Sequence, residues 1–513
     1  MTDRISVLLV LVVLLIYWPL LRGEFLAWDD KDAVARNAWL NPPSIAHFAE
    51  FWNPTRPQMD IWIPLTYSVW SGVATLSYVP TADLETGTHL NPWFFHGTNL
   101  AVHLLSTLLV FAILKRATGR PWPAAFGALI FAVHPVQVET VGWISGLKDL
   151  LAGCFGLMAI QQYLIFAKPA DDGDRAKTRV HYLLATAAFI AAMLAKPSGV
   201  AIPLVVLALD WLLVNRPLKQ IALSLLPWLA LTLPIIWIGK HAQPASEVYI
   251  PPLVQRPLIA ADALAFYLYK LVAPFRLGIV YDRAPQTVLG NQWAYFTWIA
   301  PAAVAALAIL LRRRARWVIA GLAVFWLAVA PVLGLIPFDF QQLSTTADHY
   351  LYLAMLGPAL VAAFMLQRLS PKPAAIGGAL VVAALAVLSF LQTWAWQDTF
   401  SLFRHSIAVN PNACGLYNNL GEAYRAAGKT TEAMQIFDDG LSHSPHCALL
   451  RITRASLMAN LGRFDDAERE LRIAEPDASE RLREVIKIGF ARLRQERQQR
   501  RPAATSRPST IPS

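Results

Sequence analysis

The chain has 513 residues, of which 56% are hydrophobic and only 15% charged. A water-soluble protein of this length needs more charge to cover its surface, so a soluble globular enzyme is excluded. The net charge of +10 could suit a nucleic-acid binder, but the bases sit in short loops between apolar runs, where membrane orientation needs them, and a nucleic-acid role is set aside.

Runs of about 18 or more apolar residues, enough to span a bilayer core, recur through the first 393 positions. They predict spans near 5–22, 93–114, 121–138, 141–167, 180–195, 198–214, 221–239, 293–311, 317–337, 350–367 and 374–393. The first follows Arg4 and has no small-x-small cleavage site after it, so it reads as an uncleaved helix. Alternate loops then separate by charge. One set holds Lys115, Arg116 and Arg120; Lys168, Arg175, Lys177 and Arg179; Arg216 and Lys219; Arg312, Arg313, Arg314 and Arg316; and Arg368 and Lys372. The positive-inside rule makes that set cytoplasmic, with the N-terminus inside and the C-terminus outside. The fold class is therefore all-α: a polytopic membrane domain over 1–393, followed by a helical domain over 394–500 and a tail over 501–513 that composition makes disordered.

Two outside loops are long, 23–92 and 240–292. Loops of that length are more often functional than connecting. The first opens with the pair Asp29-Asp30, read either as a solvated acidic helix end or as a carboxylate held at the membrane surface as a base. Its apolar stretch 61–79 suits a helix lying on the membrane. His96, Asn99 and His103 share one face of the second span, lining either a helix contact or a cavity. The third span ends in HPVQVET, where His134 caps a helix boundary at Pro135 and Glu139 offers a second acid. Asp149 lies a turn or two inside the next span. Lys196 is nearly the only base in a short outside loop. It is either a snorkelling lysine or a counter-charge for a phosphate. In the second long loop the apolar stretch 256–276 is placed in the outer leaflet, and Asp282-Arg283 follows it. Asp348-His349 opens the tenth span. Ionisable groups at membrane depth are functional candidates by default.

From Cys414 the sequence reads as a tetratricopeptide repeat, with Leu420, Gly421, Tyr424, Ala433, Phe437 and Pro445 in phase. A second unit starts near Ala448, half a unit precedes the first, and an amphipathic helix is predicted near 480–497. Fewer than three full repeats predicts that the array docks on the membrane domain. Cys154 reads as packing. Cys414 and Cys447 occupy equivalent places in successive repeats, with no disulfide framework visible.

In order along the chain, FLAWDD, PLTYSVW, FFHGTNLAVHLL, FAVHPVQVETVGWISG, LAKPSGVAIP, YLYKLVAPFRLGIVYDRAP and ADHYLYLAMLGP resemble the transmembrane and tetratricopeptide-repeat O-mannosyltransferases and their bacterial relatives, of the GT-C superfamily. The resemblance implies transfer of one sugar, mannose by family analogy, from a polyprenyl-phosphate carrier to Ser/Thr hydroxyls of a protein outside the cytoplasm, in a bacterial inner membrane. It implies Asp29 or Asp30 as the base, Glu139 as the second acid, and Lys196 as the family's lysine. His134, Asp149, Arg283, His349 and His103 are expected around the carrier phosphate or sugar, with Lys196, Arg283 and a protonated His349 supplying positive charge. Tyr417, Asn418 and Tyr424 are expected to touch the acceptor protein. Membrane lipids complete the partners, and the resemblance fixes no cofactor, with a divalent metal (Mg or Mn) as an option. The sequence departs from the family where His349 stands for an Arg and Pro197 for a Glu. A transferase acting on a lipid or glycan, and a non-enzymatic scaffold displaying the repeats, are the alternative readings.

Overall fold

The computed structural model describes residues 2–83, 87–168, 175–242 and 249–500. The predicted tail 501–513 and the side chains of Arg175 and Lys177 lie outside the described residues. The chain divides into two compact units, the first ending at Leu402 and the second starting at Phe403.

The first unit is a bundle of apolar helices. Seven among the described residues are long and apolar enough to cross a membrane: Thr2–Arg22, Pro92–Thr118, Ile144–Ala167, Thr178–Ala195, Pro197–Val214, Leu218–Ala242 and Lys372–Trp396. The predicted third span is a bent pair, Pro121–Val133 and Pro135–Gly142, meeting at 52°, the geometry of a broken span or a re-entrant loop. The bend has a local cause. Pro135 offers no N–H to a continuing helix and pushes His134 into an extended conformation, ψ 132°. The other three predicted spans are the shorter apolar helices Ala294–Leu310, Arg316–Val332 and Leu356–Arg368.

Hydrogen bonds gather the loops at two ends of this unit. At one end Arg116 donates to Lys168 O (2.6 Å), Gln367 to Thr118 O (3.0 Å), Arg316 to Asn215 Oδ1 (2.7 Å) and Arg368 to Arg314 O (3.0 Å). These loops belong to the basic set. At the other end Thr66 donates to Ala195 O (2.9 Å), Gln392 to Leu277 O (3.2 Å) and the Ala27 N–H to Thr399 Oγ1 (3.0 Å). The stretch 61–79 forms the helix Pro64–Ser77, whose Tyr67, Trp70 and Ala74 are buried against the bundle. The stretch 256–276 forms Arg256–Val272, with Ile259, Ala263 and Tyr267 buried while Tyr269 and Val272 face outward.

The second unit is built of paired helices. Cys414–Ala426 pairs with Thr430–His443, Ala448–Asn460 pairs with Phe464–Ala474, and Glu480–Arg500 follows. Gly421 lies against the Phe437 ring so closely that a Cβ would overlap it, which is why a small residue stands where the two helices cross. Cys414 and Cys447 form a disulfide with Cα atoms 6.3 Å apart, correcting the reading that saw no pairing. Equivalent positions of stacked repeats lie along one edge, so a cysteine repeated at that place meets its copy. Cys154 is buried in the first unit.

Candidate active site

The site is built on a corner between two spans. Val138–Gly142 ends at Trp143, a single 3₁₀ turn Ile144–Gly146 follows, and the helix Leu147–Ala167 begins. Gly146 presses on the Thr140 backbone, where no Cβ would fit. Asn99 holds the corner from the neighbouring helix, donating to Val141 O (3.3 Å) and Trp143 O (2.7 Å).

The acidic loop after the first helix is tied to this corner. Fully buried Asp30 accepts from the Leu26 N–H (3.2 Å), the Ser145 N–H (2.8 Å) and the Ser145 hydroxyl (2.7 Å). Burial pushes its carboxyl up to about 7, against the pull of the Ser145 and Leu26 hydrogen bonds, and the Asp29 charge adds to the rise. The Trp143 indole N–H donates to Trp28 O (2.8 Å). Between these anchors Asp29 takes the left-handed conformation, φ 65°, and its carbonyl accepts from Ala33 (2.7 Å) and Asp32 (3.1 Å). Its side chain is partly exposed, and among the described residues none donates to its carboxylate. Asp29 lies close enough to Tyr67 to help hold that phenol above its ordinary range, an effect led by the burial of Tyr67.

Glu139, Asp149, Lys196 and His349 meet on the far side of the corner. Glu139 and His349 share a short hydrogen bond through Nδ1. Burial, together with the positive charges of Lys196 and Lys148, holds the His349 imidazole well below its usual range. The surroundings thus disfavour the cation expected at His349. Lys196 and Asp149 form a buried ion pair at 2.5 Å, and the ammonium lies 5.2 Å from the Tyr350 ring centroid. Lys148, one residue before Asp149, lies 4.5 Å over the Trp143 ring. Asp348 is buried and accepts from the Tyr281 hydroxyl (2.8 Å). Burial lifts its carboxyl to about 7, opposed by that hydrogen bond and by the Lys270 charge.

Three predicted site residues are engaged elsewhere. Arg283 is paired with both oxygens of Asp262 (2.7 and 2.6 Å) and packed between Phe266 and Trp293. His134 caps the bend and meets Leu271 O (3.2 Å). His103 bridges the Tyr352 hydroxyl (3.0 Å) and Ala132 O (3.1 Å) inside an aromatic cluster with Tyr17 and Phe131. The His96, Asn99 and His103 face is thus a helix contact. Among the described residues no group of three His, Cys, Asp or Glu side chains is arranged to hold a metal ion. In the second unit Tyr417 is 1% exposed and Tyr424 7%. Both fill the repeat interior, Tyr417 beside His443 (3.3 Å) and Tyr424 accepting from Arg404, which corrects their assignment as acceptor contacts. Asn418 is half-buried. Sequence reading missed Ser145, Trp143 and Tyr281, which carry no unusual charge; only their nearness to HPVQVET and to Asp282 could have signalled them.

Residues 397–485 match the tetratricopeptide repeat family. The chain is 24% identical to the protein O-mannosyl-transferase TMTC1 of Homo sapiens, covering 89% of this chain and 56% of that protein. It is 25% identical to the protein O-mannosyl-transferase Tmtc3 of Drosophila melanogaster, covering 86% and 55%. The chain thus spans little more than half the length of these relatives. The structure of ArnT from Cupriavidus metallidurans bound to undecaprenyl phosphate aligns over 91% of this chain and 79% of that one, at 16% identity and a TM-score of 0.42. The chain is a polytopic membrane protein bearing tetratricopeptide repeats, related in sequence to the TMTC proteins over most of its own length.

Proposed function

We propose that this protein is a GT-C-type glycosyltransferase that moves one sugar, mannose by analogy with the TMTC names, from a polyprenyl-phosphate carrier to Ser/Thr hydroxyls of proteins. The observation that carries the reading is the Asp29 carboxylate, without a hydrogen-bond donor among the described residues and fixed beside a corner that also holds Glu139, Lys148 and Lys196. An alcohol attacking an anomeric carbon needs a base for its proton, and such a base typically contributes about 10²–10⁴-fold. Asp29 is that base in this reading, and Asp30 positions it. The acceptor oxygen bonds to the anomeric carbon, and the bond from that carbon to the phosphate oxygen breaks. The electron pair stays on the phosphate and the acceptor proton goes to Asp29. The phosphate is a weak base and needs positive charge rather than an acid against it. The repeats raise the effective concentration of the acceptor.

Placement follows from the same residues. The corner lies at the end away from the basic loops, which the positive-inside rule puts outside, in a bacterial inner membrane with all eleven apolar helices counted as spans. The Cys414–Cys447 disulfide supports an oxidising compartment for the repeats. The test is transfer of labelled mannose from polyprenyl-phosphate mannose to a Ser/Thr-rich acceptor peptide by purified protein in nanodiscs. Transfer that is lost in Asp29→Asn is expected. Label appearing only on lipid-linked glycan, or transfer unchanged in Asp29→Asn, would overturn the reading.

A further inference from the structure

We propose that Lys148 is the residue that receives the carrier's phosphate, an inference that rests on the transferase reading above. The other cations around the corner are already engaged. Lys196 is neutralised by Asp149 at 2.5 Å, Arg283 by both oxygens of Asp262, and Lys270 donates to Phe275 O (2.7 Å) and Arg276 O (3.0 Å). His349 is joined to Glu139. Lys148 differs from all of these. Its side chain is half-buried at the start of a membrane span, and among the described residues no carboxylate lies within ion-pair distance of it. Among the described residues its ammonium rests on the Trp143 ring face, 4.5 Å away. A π face offers about 0.5–2 kcal/mol and leaves the ammonium hydrogens without acceptors. A charge at membrane depth lacking an anion is an unfinished ion pair, and a ligand anion completes it.

The charges around Lys148 favour an anion as well. It lies close enough to His349 and Lys196 to act electrostatically on both, so an anion entering beside them also meets the Lys148 charge. The carrier-linked sugar is a phosphodiester with one negative charge. Once the sugar–oxygen bond breaks, the departing phosphate monoester carries a second. A lysine aimed at that oxygen gains more from the transition state than from the bound substrate, so its loss lowers kcat as well as affinity. Trp143 sets the geometry. Its N–H grips Trp28 O, next to Asp29, while its face carries Lys148. One indole therefore fixes the base and the phosphate-binding cation relative to each other.

The experiment measures binding of polyprenyl phosphate to the full chain in nanodiscs of neutral lipid, for wild type, Lys148→Met and Lys148→Arg, with sugar transfer measured in parallel. Lys148→Met is expected to weaken binding about 10–100-fold, the range for one hydrogen bond to a charged group, while Lys148→Arg keeps most of it and the thermal midpoint is unchanged. Unchanged binding in Lys148→Met overturns the inference. So does equal competition by phosphatidylglycerol, which would make Lys148 a general lipid-headgroup contact, and so does absence of polyprenyl phosphate binding by wild type. The two proposals fail separately. If wild type binds the phosphate through Lys148 but transfers no sugar, the transferase reading falls and the phosphate site stands. If transfer proceeds and Lys148→Met binds normally, only the phosphate site falls.

Discussion

Asp30 accepts two hydrogen bonds from one residue, Ser145, at 2.8 Å from its N–H and 2.7 Å from its hydroxyl. The two are 115 positions apart, and this contact pins the first outside loop to the corner that carries Glu139 and Lys148. It also sets a pH dependence. The Asp30 carboxyl is raised from 3.8 to about 7 in the folded protein. Between those values the folded chain holds a proton that the unfolded chain has lost. The Asp30 contribution to stability therefore falls as pH rises from about 4 to about 7 and is constant on either side, and Asp348, lifted in the same way, adds to the slope. Asp30→Asn keeps an uncharged acceptor for the Ser145 N–H and is expected to reduce that slope by the Asp30 share, leaving that of Asp348. Thermal midpoints of wild type and Asp30→Asn, taken in steps from about pH 4.5 to 7.5, test it. A variant slope equal to that of wild type would show that Asp30 is not the titrating group.

Asp29 should behave oppositely. Its side chain holds nothing together, so Asp29→Asn is expected to leave the thermal midpoint within about 1 °C, as surface changes do. Its transfer rate should fall about 10²–10⁴-fold, the size of a lost general base. Asp29→Gly shares the loss of rate while fitting the left-handed backbone, φ 65°, without strain. A large fall in stability for Asp29→Asn, or a rate within threefold of wild type, would move the base elsewhere.

The apolar runs made the bundle legible, because a bilayer demands about 20 residues of hydrocarbon per crossing and leaves little else to read. Pro135 marked the bend for the same local reason that the structure displays. The site was legible only as a set of charges. Asp29 and Asp30 are identical in the sequence. They are told apart by Ser145, a residue without charge or motif, whose N–H and hydroxyl bind one acid and leave the other free. Arg283 and Lys196 read in the sequence as cations open to a phosphate, but Asp262 and Asp149 stand beside them in the fold. Periodicity places a residue on a helix face but cannot pair it with an acid on another helix. Tyr417 and Tyr424 matched the repeat pattern because they fill it, and filling positions point inward.

The Lys196–Asp149 pair provides a separable test. Both side chains are buried and 2.5 Å apart. Removing one partner leaves a lone charge in a dry site, at a cost of about 3–5 kcal/mol, whereas removing both charges is far milder. Lys196→Met and Asp149→Leu singly are expected to lower the thermal midpoint sharply, and the double variant to recover most of the loss. Additive losses would show that the two side chains do not act as a pair.

The disulfide makes the last prediction. Tetratricopeptide arrays need about three repeats for stability, because each unit buries its apolar face on its neighbours. Two full units lie among the described residues, and Cys414–Cys447 joins the start of one to the start of the next across 33 positions. Closing a loop of that size removes unfolded-chain entropy equivalent to about 3–4 kcal/mol. That compares with the whole stability of a small domain, so the bond is a large share of what holds these two units folded. Reduction, or Cys414→Ser with Cys447→Ser, is expected to raise hydrogen exchange and protease cleavage through 414–474 in the full-length protein. The membrane helices, which contain neither cysteine, should keep their protection. Equal protection of 414–474 before and after reduction would show that helix packing alone stabilises the repeats.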